Sequence, residues 1–300
     1  MEKPSNLQKG DKIAIISTAR KISKVELQTA IEELNSWGLE VVFGENLFQE
    51  YHQFSGTDEQ RAVDLQWALD DDEIKAVLCA RGGYGTVKII DEIDFAKFIQ
   101  QPKWVIGYSD VTVLHNHINQ NYGIQTLHAT MPINFGTNTK EALESLKETL
   151  FGASPVYFTD AHELNRNGET EGELVGGNLS ILYSLTGTKS QLDTKGKILF
   201  LEDLDEYLYH VDRMMMNLDR AGMLKDLKGL VIGGMTDMND NAVPYGKTAI
   251  EIISDTVAKY NYPVCFNFPA GHLDDNRALI MGGKVNLQVN EEGGELTFVA

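Results

Sequence analysis

Three short segments carry side chains whose types and settings could do acyl-transfer chemistry. In Lys103-Trp104-Val105-Ile106-Gly107-Tyr108-Ser109-Asp110-Val111-Thr112, an apolar run meets a glycine and a lone serine, and a helical pattern starts at Asp110. A serine at such a strand-to-helix turn sits on a sharp bend beside the amides of the new helix. One turn can then present both a nucleophilic Oγ and an oxyanion donor. Alone, Ser109 reads as a helix N-cap, and Val111 stands where the hydrolase pattern G-x-S-x-G has its second glycine. The serine needs a base and an orienting acid from elsewhere.

Two later segments could supply them. Ile198-Leu199-Phe200-Leu201-Glu202-Asp203 sets Glu202 at a strand terminus, and Pro269-Ala270-Gly271-His272 puts His272 in a loop after an apolar strand. Each has a plain alternative, a helix cap for Glu202 and solvent exposure for His272. Ala80-Arg81-Gly82-Gly83-Tyr84-Gly85-Thr86 joins a strand to a helical run. Its paired glycines leave N–H groups free to face an anion, but it is neither G-x-G-x-x-G nor a phosphate-binding Walker loop. At the carboxyl end of a parallel strand it would share a rim with Ser109, where such sheets bind ligands. His115 and His117 lie two apart on a helix and point to different faces, so no shared metal is expected, and His52, His162 and His210 lack context. Cys79 and Cys265 lie in apolar runs and read as small buried hydrophobes. No metal or other cofactor is expected.

The elements that must position these groups alternate in the first half. Lys12–Ser17 reads as a strand, and a helical face through Val25, Leu27, Ile31, Leu34 and Trp37 ends at Gly38. Leu39–Phe43 is the next strand, and Thr57-Asp58-Glu59-Gln60 has capping-box spacing for a helix through Leu69. Strands Ile74–Cys79 and Trp104–Ile106 follow, and helix Lys140–Leu150 closes the unit. Strands separated by helices in this way make a parallel sheet covered on both faces. Residues 152–170 lose periodicity and read as a linker between a first domain, 1–151, and a second, 171–300. The second half begins a helix near Asn178 and continues with strand Lys197–Leu201 and a helical run Tyr207–Leu218. In that run Tyr207, Met214, Met215 and Met216 are read as core. Strands at Leu230–Ile232, Val264–Phe266, Ala278–Met281 and Val285–Val289 and a hairpin around Glu291–Gly294 complete a mixed or barrel-like sheet. The fold class is α/β, a parallel-sheet domain followed by a smaller β-rich domain.

Composition removes several partner classes. A net charge of −18 argues against non-specific nucleic-acid binding and against an anionic membrane surface, and 42% hydrophobic residues are enough for real cores. The first ten residues are polar, without the apolar core of a signal peptide, and the expected location is cytoplasmic.

Taken in order, five blocks resemble a known family. Ala80-Arg81-Gly82-Gly83-Tyr84-Gly85, Gly107-Tyr108-Ser109-Asp110-Val111-Thr112, Val175-Gly176-Gly177-Asn178-Leu179, Leu201-Glu202-Asp203 and Pro269-Ala270-Gly271-His272 together look like the LD-carboxypeptidases. These are serine peptidases that trim murein tetrapeptides, and the family includes microcin C self-immunity peptidases. The resemblance implies a Rossmann-like N-terminal domain, a smaller C-terminal domain and commonly a homodimer. It carries a Ser-Glu-His triad onto Ser109, Glu202 and His272. Amides of Asp110 and of Gly82 or Gly83 would hold the tetrahedral oxygen, and Asn178 is expected among substrate-binding residues. A carboxypeptidase must also recognise a terminal carboxylate, for which a bidentate arginine is the usual device. Arg81 is the first candidate and Arg277 the second, each weighed equally against a surface ion pair. One departure is visible, since Ile16-Ser17-Thr18-Ala19-Arg20 replaces the family's Pro-Ser-Gly-like turn after the first strand. The expected reaction is release of terminal D-Ala from a murein tetrapeptide. The alternatives are cleavage of a peptidyl-nucleotide antibiotic, and a two-domain binding protein that does no chemistry.

Overall fold

A computed structural model describes residues 1–299 and contains two sheets that share one core. The first is built from β1 (Lys12–Ile16), β2 (Glu40–Phe43), β3 (Ile74–Cys79), β4 (Trp104–Gly107) and β5 (Thr126–His128). Between and after them come α1 (Gln28–Ser36), α2 (Asp58–Asp70), α3 (Thr86–Ile89), α4 (Ala96–Gln100), α5 (Thr112–Tyr122) and α6 (Lys140–Leu150). The strands lie parallel in the order β5-β4-β3-β1-β2. β3 and β4 are buried almost throughout, as expected for strands with helices on both faces. β1, β3 and β4 are neighbours, so their carboxyl-end loops stand side by side. Those loops carry Arg20, the Gly82-Gly83 turn and Ser109.

The second sheet uses β6 (Val156–Asp160), β7 (Gly168–Asn178), β8 (Ile198–Leu204), β9 (Gly229–Thr236) and β10 (Val264–Cys265). Helices α7 (Leu179–Ser184), α8 (Leu208–Arg220) and α9 (Ala249–Val257) connect them. After the His272 loop the chain continues through β11 (Leu279–Met281), β12 (Lys284–Asn290) and β13 (Gly293–Phe298). The order is β10-β9-β8-β7-β12-β13-β6, parallel from β7 to β10 and antiparallel from β7 to β6. Long β7 serves both halves, pairing with β12 through its first residues and with β8 through its last. The sheet curls until its ends approach: Arg166 bridges Val264, and Thr159 Oγ1 lies 3.5 Å from Cys265 Sγ. It is mixed and barrel-like, as expected.

Several expectations change in detail. Ala278–Met281, read into the second sheet, supplies β11, which pairs antiparallel with β5 of the first. Residues 152–170, read as a linker, contain the edge strand β6. α1 starts at Gln28, because Ser23 and Glu26 hydrogen-bond each other in a preceding turn that leaves Val25 exposed. Met214 and Met215 are core, but Met216 and Tyr207 are exposed; three consecutive helical residues, about 100° apart, cannot all face one side. The Thr57 capping box and the β12–β13 hairpin form as read. Cys79 and Cys265 are buried free thiols. Among the described residues no helix is long and apolar enough to cross a membrane.

Candidate active site

The strand-to-helix turn after β4 has the backbone its sequence suggested. Gly107 sits at φ 154°, where an added Cβ would lie 2.8 Å from Val111 Cγ2, so only glycine lets the turn fold this tightly. Ser109 follows at φ 61°, a left-handed conformation that serine seldom adopts. His115, on α5, donates from Nε2 to the Gly107 carbonyl at 2.8 Å. Burial pushes its pKa down to about 4 against the help of that bond, so the ring is neutral.

The glycine turn after β3 faces the serine. A Cβ on Gly82 would stand 2.9 Å from Ser109 Cβ, 3.1 Å from its Oγ and 3.4 Å from the Asp110 nitrogen. Among the described residues neither the Gly82 nor the Asp110 amide donates to a carbonyl. Gly83, at φ 117°, has its open side covered by the Arg20 stem, so of the two glycines Gly82 adjoins Ser109. The buried Asp110 carboxylate ties the turns together, accepting from Thr86 N at 2.9 Å and Thr86 Oγ1 at 2.7 Å. Thr86 Oγ1 is in turn 2.8 Å from Thr18 Oγ1, which links the loop after β1 to the same chain of bonds. Burial raises the Asp110 pKa, against the opposing Thr86 bonds.

Glu202 and His272 meet on the second sheet. Glu202 lies inside β8, two residues before its end, at a register shift between Leu201 and Asp203 that re-aims the side chain. It is fully buried, and its Oε2 accepts from His272 Nδ1 at 2.6 Å. Gly271, at φ 106°, permits this approach, since a Cβ there would lie 2.6 Å from Glu202 Cβ. Burial disfavours the charged imidazole, but the charge and hydrogen bond of Glu202, with Asp203 behind, outweigh it and hold His272 above the ordinary histidine value. The His272 ring packs against Tyr108, the residue before Ser109, with centroids 4.8 Å apart. Among the described residues neither His272 Nε2 nor Ser109 Oγ has a hydrogen-bond partner. Catalytic bonds are often long without substrate and tighten when it binds.

The two sheets are joined close to these groups. Gly177, at φ 132°, has its open side filled by Thr112, the first residue of α5, and Asn178 N donates to Thr112 Oγ1 at 3.1 Å. A side chain on Gly177 would hold the second sheet away from the serine turn.

The chain matches the family models described as the LD-carboxypeptidase N-terminal domain, over residues 13–129, and the LD-carboxypeptidase C-terminal domain, over residues 171–287. It belongs to the LD-carboxypeptidase family. A probable murein peptide carboxypeptidase of Bacillus subtilis is 36% identical, covering 97% of this chain and 92% of that protein. The murein tetrapeptide carboxypeptidase of Pseudomonas aeruginosa is 29% identical, covering 93% and 94%. A crystal structure of muramoyltetrapeptide carboxypeptidase from Oxalobacter formigenes superposes with a TM-score of 0.88 at 29% identity, covering 96% of this chain and 99% of that one. The microcin C7 self-immunity protein MccF gives 0.87 at 20% identity, covering 99% and 98%, a likeness of fold alone. As an LD-carboxypeptidase family member the chain is a peptidase, a hydrolase.

The residues expected to bind substrate are placed differently from one another. Asn178 is buried and its amide is engaged: Nδ2 donates to Asp203 at 2.9 Å, while Oδ1 accepts from Ser180 Oγ and caps α7 through Ile181 N. Asp203, pushed up to about 7 by burial and by the Glu202 charge, also accepts from Ser180 N. This pair shapes the floor behind Glu202. Arg277 forms a two-pronged ion pair with Asp275, beside Tyr157 and Val156 at the outer edge of the second sheet. That pair occupies the Nε–Nη2 edge of its guanidinium. Arg81 turns to the loop after β1, donating to the Lys21 carbonyl at 3.1 Å and standing 3.7 Å from Glu26. Sequence reasoning missed Thr18, Thr86 and Thr112, whose hydroxyls tie the loops. It also missed Asn276, whose Oδ1 accepts from Gly271 N at 2.8 Å. Only a polar residue at a helix start hinted at Thr86 and Thr112.

Proposed function

We propose that this chain is a serine-type LD-carboxypeptidase that releases the terminal D-Ala of a murein tetrapeptide. Ser109 is the nucleophile, His272 the general base and acid, and Glu202 its orienting carboxylate. His272 Nε2 takes the Ser109 proton as Oγ attacks the carbonyl before D-Ala, and the Gly82 and Asp110 amides receive the developing oxyanion. Collapse breaks the C–N bond, His272 delivers the proton to the departing amine, and an acyl-Ser109 remains. Water then attacks that ester as His272 accepts its proton. The acyl C–Oγ bond breaks as His272 returns a proton to Ser109 Oγ, and the shortened peptide leaves with a free carboxylate.

The observation that carries this is the 2.6 Å bond from His272 Nδ1 to a fully buried Glu202, on a ring packed against the residue before Ser109. It fixes the tautomer that leaves Nε2 unprotonated and able to accept. The names of the Bacillus and Pseudomonas relatives support the murein substrate. The test is mass spectrometry of a murein tetrapeptide incubated with the pure protein, together with a serine-directed acylating probe. Loss of one D-Ala and labelling confined to Ser109, both absent in Ser109→Ala with an unchanged melting temperature, are expected. Turnover retained by Ser109→Ala overturns the serine assignment, and an intact tetrapeptide overturns the substrate.

A further inference from the structure

We infer that Arg20, in the loop after β1, is a specificity-determining residue that binds the terminal carboxylate of the peptide being cleaved. The inference rests on the proposed reaction and adds to it the group that makes the enzyme an exopeptidase. It starts from strand order. β1, β3 and β4 are adjacent, so Arg20, Gly82-Gly83 and Ser109 lie in a row along one rim. The contacts confirm the row. A Cβ on Gly82 would sit 3.1 Å from Ser109 Oγ, and one on Gly83 would run into the Arg20 stem, 2.5 Å from its Cγ and closer to its Cδ. The Arg20 stem therefore crosses the residue next to the proposed oxyanion donor. In a peptide cut at its last bond, the terminal carboxylate lies one residue beyond the reacting carbonyl, and consecutive Cα atoms are about 3.8 Å apart. On the protein, likewise, the Arg20 stem lies over Gly83, one residue on from the Gly82 that adjoins Ser109.

The charge state of the rim fits the same occupant. Arg81 is engaged by the Lys21 carbonyl and by Glu26, so it pins the loop that carries Arg20. Arg20 itself is exposed, and among the described residues its guanidinium has no salt bridge and donates no hydrogen bond, in a chain with 44 acidic residues against 26 basic. The two guanidiniums also oppose each other: burial, then the Arg20 charge, lowers the Arg81 pKa. With Glu26 taken up by Arg81, Arg20 has no acidic partner among the described residues, and a carboxylate fits its planar fork with two parallel bonds. The loop is held for this purpose. The buried Arg61 donates to the Thr18 carbonyl at 3.0 Å, Thr18 bonds Thr86, and Ser17 Oγ donates to the Arg20 carbonyl at 2.7 Å. The loop after β1 thus carries a buttressed arginine.

The test uses the murein tetrapeptide as free acid and as C-terminal amide, with wild type, Arg20→Ala and Arg20→Lys. Wild type should prefer the acid. Arg20→Ala should raise KM for the acid about 10- to 100-fold, the value of a charge-assisted contact, with a smaller change in kcat. The amide should be cleaved equally by both, and Arg20→Lys should recover part of the loss. Calorimetric binding of the two peptides to Ser109→Ala, with and without Arg20→Ala, reads the contact without turnover. If the tetrapeptide is cleaved but Arg20→Ala leaves the acid-to-amide ratio unchanged, the carboxylate contact is overturned and the reaction stands. If nothing is cleaved yet Arg20 still decides acid over amide in binding, the reaction is overturned and the contact stands. Equal wild-type cleavage of acid and amide also overturns the contact.

Discussion

Glu202→Gln isolates the orienting carboxylate while leaving the shape of the site almost unchanged. Glu202 Oε2 accepts from His272 Nδ1 at 2.6 Å, and its buried Oε1 has no partner among the described residues. In the glutamine variant the new NH2 has two places to go. At the Oε1 position it is a buried unpaired donor, costing about 1–3 kcal/mol. Turned toward His272 it finds an acceptor only if Nδ1 gives up its proton, which moves the proton to Nε2. The packing therefore favours the tautomer that cannot accept from Ser109. The comparable change in the serine-protease triad costs about 10⁴ in kcat. Here a loss of about 10³–10⁴ in kcat/KM is expected, or about 4–5.5 kcal/mol of barrier. The pH profile carries an independent sign. In the proposed mechanism the base is neutral His272, whose pKa Glu202 holds above 6.5, so wild-type activity should rise with pH through a value above 6.5. Without the carboxylate the raising influence goes, and the residual activity should show its acid limb at lower pH. Stability follows the same linkage: the charged pair stabilises fully below pH 6.5 and fades as pH rises through the His272 value. The assay is D-Ala release across pH 5–9, with Ser109→Ala as the floor. A variant within about tenfold of wild type, or an unmoved acid limb, would refute the orienting role.

Two further predictions address the surrounding frame. Gly82→Ala puts a methyl 3.1 Å from Ser109 Oγ and 3.4 Å from the Asp110 amide, and kcat should fall about 10²–10³-fold, as for loss of an oxyanion donor; unchanged kcat in a folded variant would remove Gly82 from the cradle. His115 is buried neutral with a pKa of about 4, so it stabilises fully above pH 6.5 and loses that contribution as pH falls toward 4, up to about 3 kcal/mol. Denaturant unfolding at pH 7 and pH 4.5 should show this decline, and His115→Gln, which can still donate to the Gly107 carbonyl, should flatten it; an unchanged decline would refute the assignment.

The serine turn was legible because its whole chemistry is local: strand, glycine, serine and helix follow one another, and each fixes the next backbone angle. Glu202 and His272 were legible only as members of an ordered set, since a strand-end carboxylate and a loop histidine each have commoner uses. Groups defined by which strands become neighbours were not legible. Arg20 matters because β1 lies beside β3 and Gly83 leaves room for its stem, and neither relation is written near residue 20. The same holds for β11. Three buried apolar residues read as a strand, but nothing in them names β5 as partner. Arg277 is the contrary case: the surface ion pair weighed for it forms, with a partner only two residues away, Asp275.

Dividing the proposed nucleophile and its helpers between two sheets would ordinarily demand a closing motion, yet the seam here is packed closed. Gly177 packs on Thr112 three residues beyond Ser109. On the other side of the site the His272 loop is held from both halves. Thr236 Oγ1 donates to the His272 carbonyl at 3.2 Å, and Thr139 N donates to the Asp274 carbonyl at 2.8 Å. Seven residues after His272 the chain enters the first sheet as β11. The imidazole is thus fixed between an anchor on β9, an anchor at the start of α6 and a strand paired with β5. Such a frame costs little reorganisation at the moment of reaction, which is where preorganised sites gain their advantage over water. Selectivity must then come from the rim and not from closure. The loop after β1, held by Arg61, Arg81 and the Thr18–Thr86–Asp110 chain, is the part of that rim that carries Arg20.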